Sequence, residues 1–137
     1  MPECFTPVVA FDRCFDAHYG LEVLSDDVDG DGKVRGRVPV RDELLSEQGS
    51  VHGGVFASAA EALASRGTAM SAIPKGFAAM GQSNDTSILE PLAAGVIHVE
   101  ARLRSRGADA WTWTVDARDE GDRLCAFSRV TVAVRRM

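Results

Sequence analysis

The chain has 137 residues, with 15 Lys and Arg against 20 Asp and Glu, and a formal net charge of −5 spread along its length. That balance reads as a solubility charge and argues against a nucleic-acid partner, while the length fits one domain, residues 1–137, able to bury a core without staples. Three cysteines (Cys4, Cys14, Cys125) with no CxxC pair, and His18, His52 and His98 far apart, predict reduced thiols in the cytoplasm and no metal or other cofactor.

The first residues, MPECFTPVVAFDRCFD, lack the basic and apolar regions of a signal peptide. Nothing approaches the roughly 18 apolar residues of a membrane span. Val8, Phe11, Phe15 and Tyr19 recur at helical spacing, which predicts a short amphipathic helix over 8–19 that stops at Gly20. Residues 21–40 read as two strands joined by an acidic glycine turn. Leu21, Val23 and Val28 belong to the first, and Val34, Val38 and Val40 to the second. Asp27, Asp29 and Asp31 begin like a calcium loop, but the twelfth position is Val38 and strand pattern surrounds them, so the hairpin is kept.

Residues 41–50 form a loop into a helix predicted from near His52 to about Ser71, ended by Pro74, Lys75 and Gly76. Four strand-like runs follow, at 80–90, 95–107, 110–120 and 122–136, each with period-2 alternation. Trp111 and Trp113 share one strand face and read as packing residues; Cys125 reads as a small core residue. The class is α+β: one long helix, a short N-terminal helix and about six antiparallel strands. One helix covers one face of such a sheet, so a homodimer is expected to bury the other face or an edge.

Val51-His52-Gly53-Gly54, with Glu61 nine residues after the histidine and four strands behind it, resembles the hotdog-fold acyl-CoA thioesterases, most closely the phenylacetate-pathway and hydroxybenzoyl-CoA branch. The resemblance runs from about Phe11 to Arg135 and is most specific in HGGVxxxxxE. It implies hydrolysis of an acyl-CoA, with an aromatic acyl group slightly favoured, by a dimer or a dimer of dimers. Non-catalytic acyl-CoA binding and a dehydratase of the same fold are the rival readings.

On this resemblance Glu61 is the catalytic carboxylate, as nucleophile or as general base on water. The Gly53 N–H at the helix start is the oxyanion donor, with Gly54 admitting substrate to the backbone. Ser65, one turn after Glu61, is its supporting residue. Gly53 and Glu61 are about 12 Å apart along one helix, too far for one substrate carbonyl, so two antiparallel helices of a dimer would each lend one group. Ala57, Ser58, Ala60, Ala62 and Ala64 would let those helices approach.

His52 reads either as a catalyst or as a cap. Without the motif, Glu61 would read as a helix carboxylate paired with Arg66. Where the family carries an amide side chain this sequence has Ser46, with Gln48 as a substitute. Asn84 and Thr86 lie on the strand that lines the acyl pocket. Arg102, Arg104 and Arg106 are candidates for the phosphates of coenzyme A. Phe56, Phe77, Met80 and Ile88 are expected to set pocket depth.

Overall fold

The computed structural model describes residues 7–137, so Cys4 lies outside the described residues. A 3-10 turn (Phe11–Arg13) and one α turn, α1 (Phe15–His18), precede β1 (Glu22–Ser25), α2 (Val28–Asp31) and β2 (Lys33–Pro39). The long helix α3 spans Gly53–Ala72, and β3 (Phe77–Ile88), β4 (Val96–Arg106), β5 (Ala110–Arg118) and β6 (Leu124–Arg136) follow it. The six strands form one antiparallel sheet in the order β1-β2-β4-β5-β6-β3, with α3 across one face. No helix among the described residues is long and apolar enough to cross a membrane.

Alternation places the core. On β5, Trp111, Trp113, Val115 and Ala117 are buried while Thr112, Thr114, Asp116 and Arg118 point away. The helix meets that layer with Val55, Phe56, Ala59, Ala60, Leu63, Ala64, Gly67 and Thr68. Trp113 donates its indole N–H to Thr68 Oγ1 at 2.9 Å, and Thr68 donates to the Ala64 carbonyl at 2.9 Å, so the buried polar atoms are satisfied. A Cβ on Gly67 would stand 2.5 Å from the Trp113 ring. Glycine is therefore what lets helix and sheet come this close. Cys125 is fully buried, as a small core residue.

Two expectations change. The N-terminal helix is broken at Cys14, which is extended (φ −88, ψ 172), leaving two short turns; Phe11 and Phe15 stay exposed and only Tyr19 of the stripe is buried. The hairpin connection is a helical turn rather than a tight loop. Asp27 caps it by accepting from the Gly30 N–H, and Val28 drops into the core instead of extending β1. Of the two surfaces expected to meet a partner, the sheet face away from α3 is mostly polar. Lys33, Arg35 and Arg102 all pair with Glu100, and Arg118 pairs with Asp116.

The longer of the two sheet edges also lacks a neighbour among the described residues. Strand β3 has 12 residues, mostly exposed, with β6 on one side and no strand on the other among the described residues. Long bare edges are pairing surfaces. The helix's small residues also divide between two jobs, since Ala60 and Ala64 face this chain's own sheet while Ala57, Ser58 and Ala62 remain on the open side.

Candidate active site

The start of α3 is set by its cap. His52 is extended (φ −60, ψ 135) and its Nδ1 accepts from the Gly54 N–H at 2.9 Å, which leaves Nε2 as the protonated nitrogen of the neutral ring. The His52 N–H donates to the Leu44 carbonyl, and Val55 N–H to the His52 carbonyl. Among the described residues no acceptor is paired with the Gly53 N–H, the first donor of the helix. His52 therefore acts as a cap, and what it caps leaves one backbone donor open.

That donor opens on a cleft of about 460 Å³ between α3 and β3, lined by Gly53, Gly54, Ala57, Ser58, Glu61, Asn84, Thr86 and Ile88. Asn84 Nδ2 donates to the Ala57 carbonyl at 2.9 Å. Thr86 donates to Asn84 Oδ1 at 2.7 Å, so the 2.7 Å contact with Ser128 has Ser128 as donor. Both residues thus line the cleft, but their polar atoms brace β6, β3 and α3 together.

Glu61 lies two turns along, exposed, with no ion pair or side-chain hydrogen bond to any described residue. The partner a surface glutamate would use is taken, because Arg66 Nε donates to Asp26 at 2.9 Å. The Glu61 carboxylate rests against the backbone of Gly81 on β3. A second groove of about 830 Å³ shares Ser58 and Glu61 with the cleft. Its walls are mainly apolar (Val9, Phe11, Phe15, Val23, Ala62, Ala79), with Asp16, Ser65 and Arg66 among them.

An unpaired carboxylate therefore stands where a polar cleft ending at an open N–H meets an apolar groove. Buried Tyr19 lies beneath the N-terminal turn and donates to Asp16 Oδ1 at 2.9 Å. Burial first, then the charge and hydrogen bond of Asp16, push its phenol above the ordinary tyrosine range, with the Glu61 charge adding to the effect.

Residues 48–126 match the model of the thioesterase superfamily. The chain belongs to that superfamily. A candidate esterase of Mycobacterium tuberculosis is 30% identical over 85% of this chain and 82% of its own length. A 1,4-dihydroxy-2-naphthoyl-CoA hydrolase of Listeria monocytogenes is 29% identical over 85% of this chain and 92% of its own. The crystal structure of a Haemophilus influenzae thioesterase superposes with a TM-score of 0.80 at 26% identity, covering 88% of this chain and 82% of that one. The fold is the hotdog fold, and the chain is a hydrolase of thioesters.

In this thioesterase the cleft gathers Gly53, Gly54, Glu61, Asn84 and Thr86 on its walls, His52 caps Gly54 without lining the cleft, and Ser65 lines the adjoining groove without bonding to Glu61. Four other candidates lie elsewhere on the protomer. Ser46 Oγ donates to Gln48 Oε1 at 3.1 Å at the tip of the Leu45–Val51 turn, and neither lines the cleft. Arg104 donates to Thr114 on the outer face of the sheet. Arg106 is spent on Asp29 (2.9 Å), Ser71 (3.2 Å) and the ring of Trp111 (4.6 Å).

Of the four side chains expected to set pocket depth, Ile88 lines the cleft. Phe56 is in the core, Phe77 sits under Arg136, and Met80 is exposed. Two features of the site went unread in the sequence, Asp16 and Gly81. A glycine inside a strand, where it weakens pairing, was the available signal for Gly81.

Proposed function

We propose that this thioesterase converts acyl-CoA to free acid and coenzyme A, with Glu61 as the reacting carboxylate and the Gly53 N–H as oxyanion donor. The observation that carries the reading is that an unpaired carboxylate, Glu61, and an open first N–H, Gly53, both lie on the open side of α3. As nucleophile, a Glu61 oxygen adds to the thioester carbon, the oxyanion collapses, and coenzyme A leaves as thiolate, which takes a proton from solvent, to give an anhydride that water hydrolyses. As base, Glu61 takes a proton from water as the water oxygen bonds to the thioester carbon, and returns it to the coenzyme A sulfur as the C–S bond breaks. In both, a backbone donor at the developing oxyanion contributes a few kcal/mol, about 3 in comparable sites.

Gly53 and Glu61 are eight positions apart on α3, about 12 Å along its axis, whereas a reacting pair needs about 3–3.5 Å. The reading therefore places each site across a homodimer in which the bare edges of β3 pair. That brings the open face of one α3, with Ala57, Ser58 and Ala62, toward its copy; a dimer of dimers is the larger form of the same design. Ser65 then supports Glu61, while Ser46 or Gln48 can reach the thioester only from the partner's loop. Arg104, exposed and held by a single hydroxyl, is the better phosphate candidate of the two late arginines. An aromatic acyl group suits the groove walled by Phe11 and Phe15, and the Listeria relative is named for an aromatic acyl-CoA. The enzyme is placed in the cytoplasm, in keeping with unpaired Cys14 and Cys125.

Thiol release from aromatic and aliphatic acyl-CoAs tests this, run on wild type and Glu61→Gln with a no-substrate control for the protein's own thiols. Turnover that falls at least about 10³-fold in the variant supports the assignment. Turnover that survives removes Glu61 from the mechanism. Tight acyl-CoA binding with no turnover by wild type would favour the non-catalytic reading, which the placement of Ser46 against Gln48 keeps open.

A further inference from the structure

We infer that Gly81 is a positioning residue for the Glu61 carboxylate, left without a side chain so that the carboxylate can lie on the backbone of β3. The inference rests on the reading of Glu61 as the reacting group. A Cβ built on Gly81 would stand 2.9 Å from Glu61 Oε1, 3.0 Å from its Cδ and 3.3 Å from its Cγ. These are its three nearest atoms, and all belong to one side chain. The backbone supplies no other reason for glycine, because Gly81 is not among the residues with positive φ. It is a strand residue, where glycine is a poor choice.

The contrast with Gly67 is informative. There the missing Cβ makes room for Trp113 and Val34, two parts of the core. At Gly81 it makes room for a carboxylate in a cleft.

The surroundings keep this contact from relaxing by movement of the backbone. Immediately after Gly81 the pairing with β6 shifts, from Gly81 opposite Val132 to Ser83 opposite Thr131, so Gln82 is an extra residue. Such a bulge re-aims the strand. It returns Asn84 to the helix side, where its amide holds the Ala57 carbonyl at 2.9 Å, one turn before Glu61. With strand and helix tied at that point, a methyl at 81 is accommodated by the movable end of Glu61. The fold then loses little, while the carboxylate is displaced by about an ångström, a misplacement that can reduce rate on the order of 100-fold.

The test is a cycle of wild type, Gly81→Ala, Glu61→Asp and the double variant, each read by melting temperature, kcat and KM, with Glu61→Gln as reference. Gly81→Ala is expected to melt within about 2 °C of wild type or above it, since a tolerated Gly→Ala change restricts the unfolded chain. Its kcat is expected to fall on the order of 100-fold with KM changed less than about threefold.

Shortening the side chain withdraws it from the methyl. Glu61→Asp should therefore cost more than about tenfold in the wild-type background and less than about threefold in the Gly81→Ala background, a coupling expected only of groups in contact. Wild-type kcat in Gly81→Ala, strictly multiplicative losses, or a melting point lowered by more than about 10 °C would each overturn the inference while an inactive Glu61→Gln upholds the function. A wild type that turns over no thioester, or an active Glu61→Gln, overturns both.

Discussion

The two faces of α3 obey different rules. Toward the sheet, Leu63, Ala64, Gly67 and Thr68 are fully or nearly fully buried, the closest approach is set by the missing Cβ of Gly67, and the one polar group is hydrogen-bonded twice. Toward solvent, Ser58, Glu61 and Ser65 line open space, the first N–H has no acceptor among the described residues, and the carboxylate has no counter-ion there. The closed face is saturated with contacts; the open face is left unsaturated. Buried polar groups are satisfied where a fold needs only stability, and unsatisfied ones collect where a substrate is to complete them. Both sets occupy one helix, in interleaved positions only a few residues apart.

Substitutions on the two faces should therefore separate activity from stability. The largest effect is expected at Glu61. Glu61→Gln removes at least about 10³-fold of turnover, near 4 kcal/mol, while leaving the melting temperature unchanged or raised, because an unpaired charge is lost. A melting point that falls in step with activity would mean that the open face is structural. Next is Gly67→Ala on the closed face. A methyl 2.5 Å from Trp113 overpacks the core by about 1–3 kcal/mol, against about 1 kcal/mol gained in helix propensity, for a net loss of up to about 2 kcal/mol in denaturant titration. kcat of the folded fraction should hold. Smaller again is Asn84→Ala, which breaks the tie between the faces: about 1 kcal/mol of stability, with a fall in kcat as β3 loosens from α3.

The same contrast marks what could be read from the chain. The closed face was legible because burial writes a period: alternation on β5, and small residues packed between HGG and PKG, gave the strands and the helix nearly to their ends. The glutamate was legible through its motif, since a carboxylate amid alanines conflicts with packing. Arg106 was not. On a strand next to two other arginines it has the pattern of a phosphate ligand, yet its guanidinium is held by Asp29, Ser71 and Trp111, residues 77, 35 and 5 positions away. Spacing along a strand does not report such distant partners. The turn at Asp27–Gly32 failed for a related reason, because three aspartates in alternate positions serve three local tasks: Asp27 caps α2, Asp31 meets Arg35 and the Lys33 N–H, and Asp29 reaches β4. Gly81 carried a signal that only the position of Glu61 could explain.

The smallest expected effect tests Asp29, the one of these aspartates that reaches β4. Hydrogen bonds from Arg106 and then from Ser71 hold the Asp29 carboxyl below its ordinary range, against a small opposing effect of desolvation. A carboxylate whose folded pKa is depressed adds stability in full above its unfolded pKa, about 3.9, and loses it as pH falls through the lower folded value. Asp29 is more than half exposed, so solvent screens the pair, and Asp29→Asn should remove only about 0.5 kcal/mol at pH 7. The difference between variant and wild type should stay constant from pH 7 to about pH 5, narrow below about pH 4, and vanish once Asp29 is protonated in both states. Salt should narrow it at neutral pH as well. A difference independent of both pH and salt would mean that Asp29 holds Ser71 and Arg106 by shape alone, and that the ion pair between α2 and β4 contributes nothing by its charge.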